Sequence, residues 1–349
     1  MSSGADIVRL MIEPARALRY SFVNDESELR SGWRLVVFAA TLAVVEVLLA
    51  ALAGTLGIWF PGLRDMLKLP ETITQDNSGR VLIYYALSSA TNLASILIAS
   101  LLCAKLLERR SLASVGFKFH RRWGRDFALG LFIGGSALAM TVAIEAGFGA
   151  AALERRNESA LALLLKLGSL LAIFLMAAAF EELLARGFAF QALLHNVGPL
   201  PALAVTSLIF GLLHIANQSA SAFSTFNTVL AGVWLGVAYL KTRSLWFATA
   251  MHASWNFATV FVFGLPVSGI TDLRYMTWLK GSGLPPHWVS GGAYGPEGGA
   301  AATVILVFLT LGIWRSKLFR PDEEMINATR HGARIQRYTT LFESRGDNQ

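Results

Sequence analysis

Long uninterrupted runs of apolar residues, separated by short basic, polar or turn-rich connections, set the pattern of this chain. A helix needs roughly 20 predominantly apolar residues to cross a hydrocarbon core, and several runs reach that length. The pattern predicts spans over Leu35 to Ile58, Val81 to Leu107 and Phe127 to Gly149, then one starting near Leu161. Four more follow at Leu200 to Ala216, Phe223 to Leu240, Leu245 to Phe263 and Ala300 to Trp314. The fold expected is an all-α, polytopic integral membrane protein of about eight transmembrane helices. Residues 1–32 form a cytoplasmic N-terminal segment in this reading, 33–318 the membrane domain and 319–349 a cytoplasmic tail.

Composition agrees with that class. Hydrophobic residues make up 54% of the chain and charged residues 15%, with a mean hydropathy of +0.51. Lys and Arg gather in alternate connections: Arg30 and Arg34, then Lys105 to Arg125, then Lys241 and Arg243, then the tail. Cytoplasmic loops are enriched in these residues, so both termini are expected in the cytoplasm. That asymmetry accounts for the basic balance by attraction to anionic lipid, so no nucleic-acid partner is expected. Cys103 is the single cysteine, which excludes an intrachain disulfide and a thiolate metal cluster.

No cleavable signal peptide is read in the first 32 residues. Residues 5–20 mix aliphatic and basic side chains and suit a surface helix as well as they suit a loop, with Pro14 as a breaker. Residues 264–299, rich in Gly and Pro, read as an external loop with Trp278 and Trp288 as interface anchors, and the tail after Arg320 as mobile. Glu46 and Lys166 read as packing or snorkelling groups, and His120, His195, His287 and His331 as solvated.

The chemistry concentrates in the fourth run. Glu181, Glu182 and Arg186 stand in otherwise apolar sequence, and charges at such depth are costly and usually functional. Glu182 and Arg186 are spaced for an intrahelical ion pair, and Glu181, turned about 100° away, is free to face a pocket. If His195 to Pro201 closes a helical hairpin, Glu181 and His214 come to similar depth. His252 and Asn256 share one face of the seventh span. A polar pocket between the fourth, fifth and seventh helices follows. On pattern alone it reads as a reactive site, a polar packing cluster or an ion path. Asn217 and Gln218 read as groups that satisfy the carbonyls ending the fifth span, and Trp255 as pointing away from the pocket.

Three ordered motifs, Glu181-Glu182-x-x-x-Arg186, Phe210-x-x-x-His214 and His252-x-x-x-Asn256, resemble those of the CPBP family of CAAX proteases and bacteriocin-processing enzymes, the Abi family. The similarity covers residues from roughly 115 to 260. It implies an intramembrane endopeptidase with a conical pocket opening to the cytoplasm, acting on a membrane-associated peptide or protein. Carried over, Glu181 activates water, His214 helps hold it, and His252 and Asn256 donate to the oxyanion. Glu182, Arg186 and Phe210 support the pocket. The resemblance favours chemistry without a metal. Zn2+ bound by Glu181, His214 and His252 is the alternative, although no HExxH helix is present. A transporter, or a non-catalytic immunity or scaffold protein, would use the same residues differently.

Overall fold

Every predicted apolar run is helical in the computed structural model, which describes residues 22–23 and 29–329. The surface-helix reading of residues 5–20, His331 and the tail beyond 329 lie outside the described residues. The helices are α1 (Ser31–Trp59), a short α2 (Pro61–Met66), α3 (Ser78–Glu108), α4 (Trp123–Gly147), α5 (Ala160–Arg186) and α6 (Phe188–Val197). Then come α7 (Pro199–Leu213), α8 (Ala222–Thr242), α9 (Leu245–Phe257) with a π-helical turn at Ala258–Val262, the four-residue α10 (His287–Ser290), α11 (Ala300–Arg315) and α12 (Glu323–Thr329). Among the described residues five segments are long and apolar enough to cross a membrane: α1, α3, α4, α5 with α6, and α8. The other three of the eight runs are shorter helices: α7 has 15 residues, α9 13 before its π-helical turn, and α11 16.

The bundle has one basic end. The start of α1 is tied to the end of α3 by Arg34 and Glu108 at 3.0 Å, both buried. The C-terminal α12 docks there through Lys118–Glu324, Arg122–Asp322 and a bond from Arg243 to Thr329, with Met325 fully buried. The tail therefore does not become mobile at Arg320, since acidic α12 is held by the basic loops. His120 is also buried at this end rather than solvated, within 3.4 Å of both Ser244 and Asp126.

The opposite end carries a folded cap where a loop was expected. Strands β1 (Ala151–Arg155) and β2 (Leu279–Gly283) pair antiparallel, with Ala151 opposite Gly283 and Arg155 opposite Leu279. Tyr85 donates to Asp272, and Arg156 and Arg274 bond backbone carbonyls at this end. Lys166 reaches the cap as well, bonding Glu158 at 2.7 Å and the carbonyl of Tyr275. Trp278 and Trp288 are exposed on it.

Between the two ends, close approach of α4 to α9 is made possible by Gly130 and Gly134, one helical turn apart. A methyl group at either would overlap the backbone of α9, at Phe247 or Met251. Small residues at this spacing let membrane helices pack at short distance. Gly211 and Gly232 do the same for α7 against α8, facing Val229 and Ser207.

Candidate active site

Glu181 and Glu182 lie near the C-terminal end of α5, and the chain breaks its helix soon after them, at Gly187. A Cβ at Gly187 would overlap the carbonyl of Leu183, so the turn depends on glycine. The expected simple hairpin is therefore replaced by an elbow at Gly187, the separate helix α6, and a second turn at Gly198, whose φ is 85°. Pro199 then starts α7, where a missing N–H costs nothing.

Glu182 faces inward and is fully buried. Its carboxylate accepts two bonds from Arg186, at 3.0 and 3.1 Å, and one from Nδ1 of His252 at 3.0 Å. Arg186, also fully buried, donates to the carbonyl of Gly232 at 2.5 Å and lies over the ring of Phe210, 4.9 Å from its centroid. This cluster ties α5 to α7, α8 and α9. A buried carboxylate paired with a guanidinium in this way keeps its charge balanced locally.

Glu181 is turned toward a cavity of about 860 Å³. Its Oε2 is buried without a hydrogen-bond partner and lies 3.7 Å from Nε2 of His214 and 3.7 Å from Nε2 of His252. His214 caps the end of α7, and its Nδ1 contacts the carbonyl of Phe210 at 2.7 Å. A carbonyl only accepts, so Nδ1 carries the hydrogen. In the neutral ring Nε2 is then left as an acceptor facing Glu181.

Asn256, one turn beyond His252, also lines the cavity. The structure thus brings Glu181, His214, His252 and Asn256 to the cavity lining together with Phe210, with Glu182 and Arg186 directly behind. The remaining lining is mostly apolar and extends from Leu35 and Val36 in α1 to Val267 and Leu273 in the cap. Among the described residues no group of three or more His, Cys, Asp or Glu side chains is arranged to hold a metal ion.

A second, smaller cavity of about 40 Å³ touches His214, His252 and Asn256 from the cap side. It is bounded there by Ser268 and Glu297, both in the Gly- and Pro-rich stretch expected to form an external loop. The Nε1 of Trp255 donates to Glu297 at 3.1 Å. Asn217 donates to the carbonyl of Ser268 at 3.0 Å, so its side chain serves the cap and not the end of its own helix. In the sequence Glu297 is one of two acids, with Asp272, in the Gly- and Pro-rich stretch 264–299, and nothing else sets it apart.

Residues 163–258 match the family described as Type II CAAX prenyl endopeptidase Rce1-like. No curated protein and no solved structure matches the chain. The matched segment begins in α5 and ends after α9, so it contains every residue of the three motifs and leaves out α1, α3, α4 and the cap. Its apolar helices mark this as a membrane protein, and the match over residues 163–258 is similarity to an Rce1-like domain, consistent with a CPBP family intramembrane protease.

Proposed function

We propose that the protein is an intramembrane endopeptidase that hydrolyses a peptide bond in a membrane-associated peptide or protein, using water activated by Glu181. The observation that carries this reading is the unpaired Oε2 of Glu181, 3.7 Å from two imidazole nitrogens at the wall of a large cavity. Such a separation is too long for a direct hydrogen bond and suits a bridging water.

A water there donates one hydrogen to Glu181 and the other to Nε2 of His214. As its oxygen attacks the scissile carbonyl carbon, Glu181 takes the first proton. The carbonyl oxygen becomes an oxyanion, which Nδ2 of Asn256 and Nε2 of His252 face as donors. Because Nδ1 of His252 is directed at Glu182, donation from Nε2 requires the doubly protonated ring. Collapse of the intermediate breaks the C–N bond, and Glu181 returns its proton to the leaving amine. Glu182 and Arg186 hold the helix that presents Glu181.

The basic end is the cytoplasmic one in this proposal, which places the start of α1 and the docked α12 there. The cavity reaches Leu35 and Val36 at that end as it reaches the cap at the other, and entry from the basic end is part of the proposal. CAAX-type or bacteriocin-type tails are the substrate classes the family suggests, with the lipid bilayer as the other partner.

The test compares membrane-protein termini in cells carrying the wild-type chain and cells carrying Glu181→Gln. Termini generated only by the wild type would identify the substrate and the cut together. Identical termini, with both proteins equally abundant, would favour transport or binding through the same residues. Inhibition by a chelator, reversed by zinc, would move Glu181, His214 and His252 into ligand roles.

A further inference from the structure

We infer that Glu297 is a positioning residue for this site: it straps the cap to the helix of His252 and Asn256 and to the segment following His214. The inference rests on the proposed catalytic reading and extends it to a residue outside the segment matched to the family.

The geometry is specific. One oxygen of Glu297 accepts from Nε1 of Trp255, a residue flanked on α9 by His252 and Asn256. The other accepts from both the backbone N–H and the hydroxyl of Ser268, at 2.7 and 2.6 Å. Ser268 in turn accepts from Asn217, three residues beyond His214. A single carboxylate therefore stands between the two histidine-bearing segments, with no flexible link in the chain of bonds.

Three further features hold the strap rigid. Asn227 of α8 donates to the carbonyls of Glu297 and Gly299, each at 2.9 Å, while accepting from Thr303 of α11 at 2.7 Å. Ser268 has a φ of 48°, a left-handed conformation that is costly for a residue with a side chain and persists only where its surroundings impose it. Gly269 follows at φ 84°, and a Cβ there would overlap the carbonyl of Gln218, so the cap and the loop after His214 interlock at backbone contact. Two residues beyond Trp255 the α-helix gives way to its π-helical turn at Ala258–Val262.

Glutamine is a sharp probe because its amide offers one acceptor where Glu297 uses two. The protein is studied full length in lipid nanodiscs, with a synthetic peptide spanning the cut that separates wild-type from Glu181→Gln membranes. Glu297→Gln is expected to lower kcat by about 10- to 100-fold, the scale of a small misplacement of reacting groups, and to leave KM near the wild-type value. Trp255→Phe, which keeps an aromatic ring but removes the donor with the pyrrole half of the indole, should do the same, and the double variant should lose no more than either single one. Amide exchange should quicken at 217–220 and 252–257 in both variants. An unchanged kcat in folded Trp255→Phe, or effects that simply add, would overturn the strap. If Glu181→Gln still cut the peptide, the catalytic reading would fail instead, and the exchange measurement would judge the strap independently of activity.

Discussion

Glu181 and Glu182 are adjacent in the chain yet address opposite nitrogens of one ring: Oε1 of Glu182 lies 3.0 Å from Nδ1 of His252 and Oε2 of Glu181 lies 3.7 Å from its Nε2. One carboxylate is fixed by a guanidinium and the other has a buried oxygen without a hydrogen-bond partner, so substituting them should have different consequences. Glu181→Gln should abolish cleavage while leaving thermal stability in detergent within error of the wild type. The loss expected for a general base is roughly 100- to 10,000-fold, read from the initial rate on the substrate peptide.

Glu182→Ala or Arg186→Ala should instead reduce stability, because each leaves its partner charged and buried without its opposite charge, held only by the bond to His252 or to the carbonyl of Gly232. The cost for breaking such a pair is about 3–5 kcal/mol. Unfolding in mixed micelles would measure it. A loss of activity without a loss of stability would assign this pair to the chemistry and not to the frame.

Asn256→Ala should lower kcat by about 100- to 1,000-fold, the range for removing one oxyanion donor, with little change in KM. An effect confined to KM would place Asn256 in ground-state binding.

Gly134→Val should displace α9, and with it His252, by overlapping the backbone at Met251. Overpacking of this kind costs about 1–3 kcal/mol. Stability and cleavage should fall together, while Gly135→Val on the same helix, where a Cβ meets nothing, should be tolerated.

Burial pushes the imidazole of His120 below its ordinary value, outweighing the carboxylates of Asp322 and Glu324. The backbone N–H of Arg122 donates to Nδ1, so protonation there breaks that contact. The unfolded chain then binds the proton more readily than the folded one. The contribution of His120 is thus complete above its unfolded value, about 6.5, and is lost as the pH falls below it. Thermal unfolding followed from about pH 7.5 to 5 should show this slope, flattened in His120→Gln.

The spans were legible because apolar length is a local signal, and the relation of Glu182 to Arg186 because four residues make one helical turn. Other features are set by partners far along the chain. Nothing near Gly130 and Gly134 announces that they face Phe247 and Met251, and nothing in Ala151–Arg155 announces its pairing with Leu279–Gly283. The lengths of the shorter helices were not legible for a related reason: α7 starts after the turn at Gly198 and stops at His214, and α9 passes into a π-helical turn at Ala258, boundaries that hydropathy averages across. Glu297 was invisible as a site residue because a glycine-rich composition tells of turns and not of what the turns enclose.

The close seating of α9 on α4 also bears on how the protein is made. Glu181 and His214 are synthesised first, and the segment with His252 and Asn256 must then travel back across the bundle to helices laid down more than a hundred residues earlier. The cap that carries Glu297 comes later still. A chain still emerging from the ribosome would lack His252 and Asn256 until α9 is made, so the wall of the cavity is finished only when α9 has packed against α4. Biosynthetic order would then withhold hydrolytic power from a partly inserted protein, with no inhibitory segment needed.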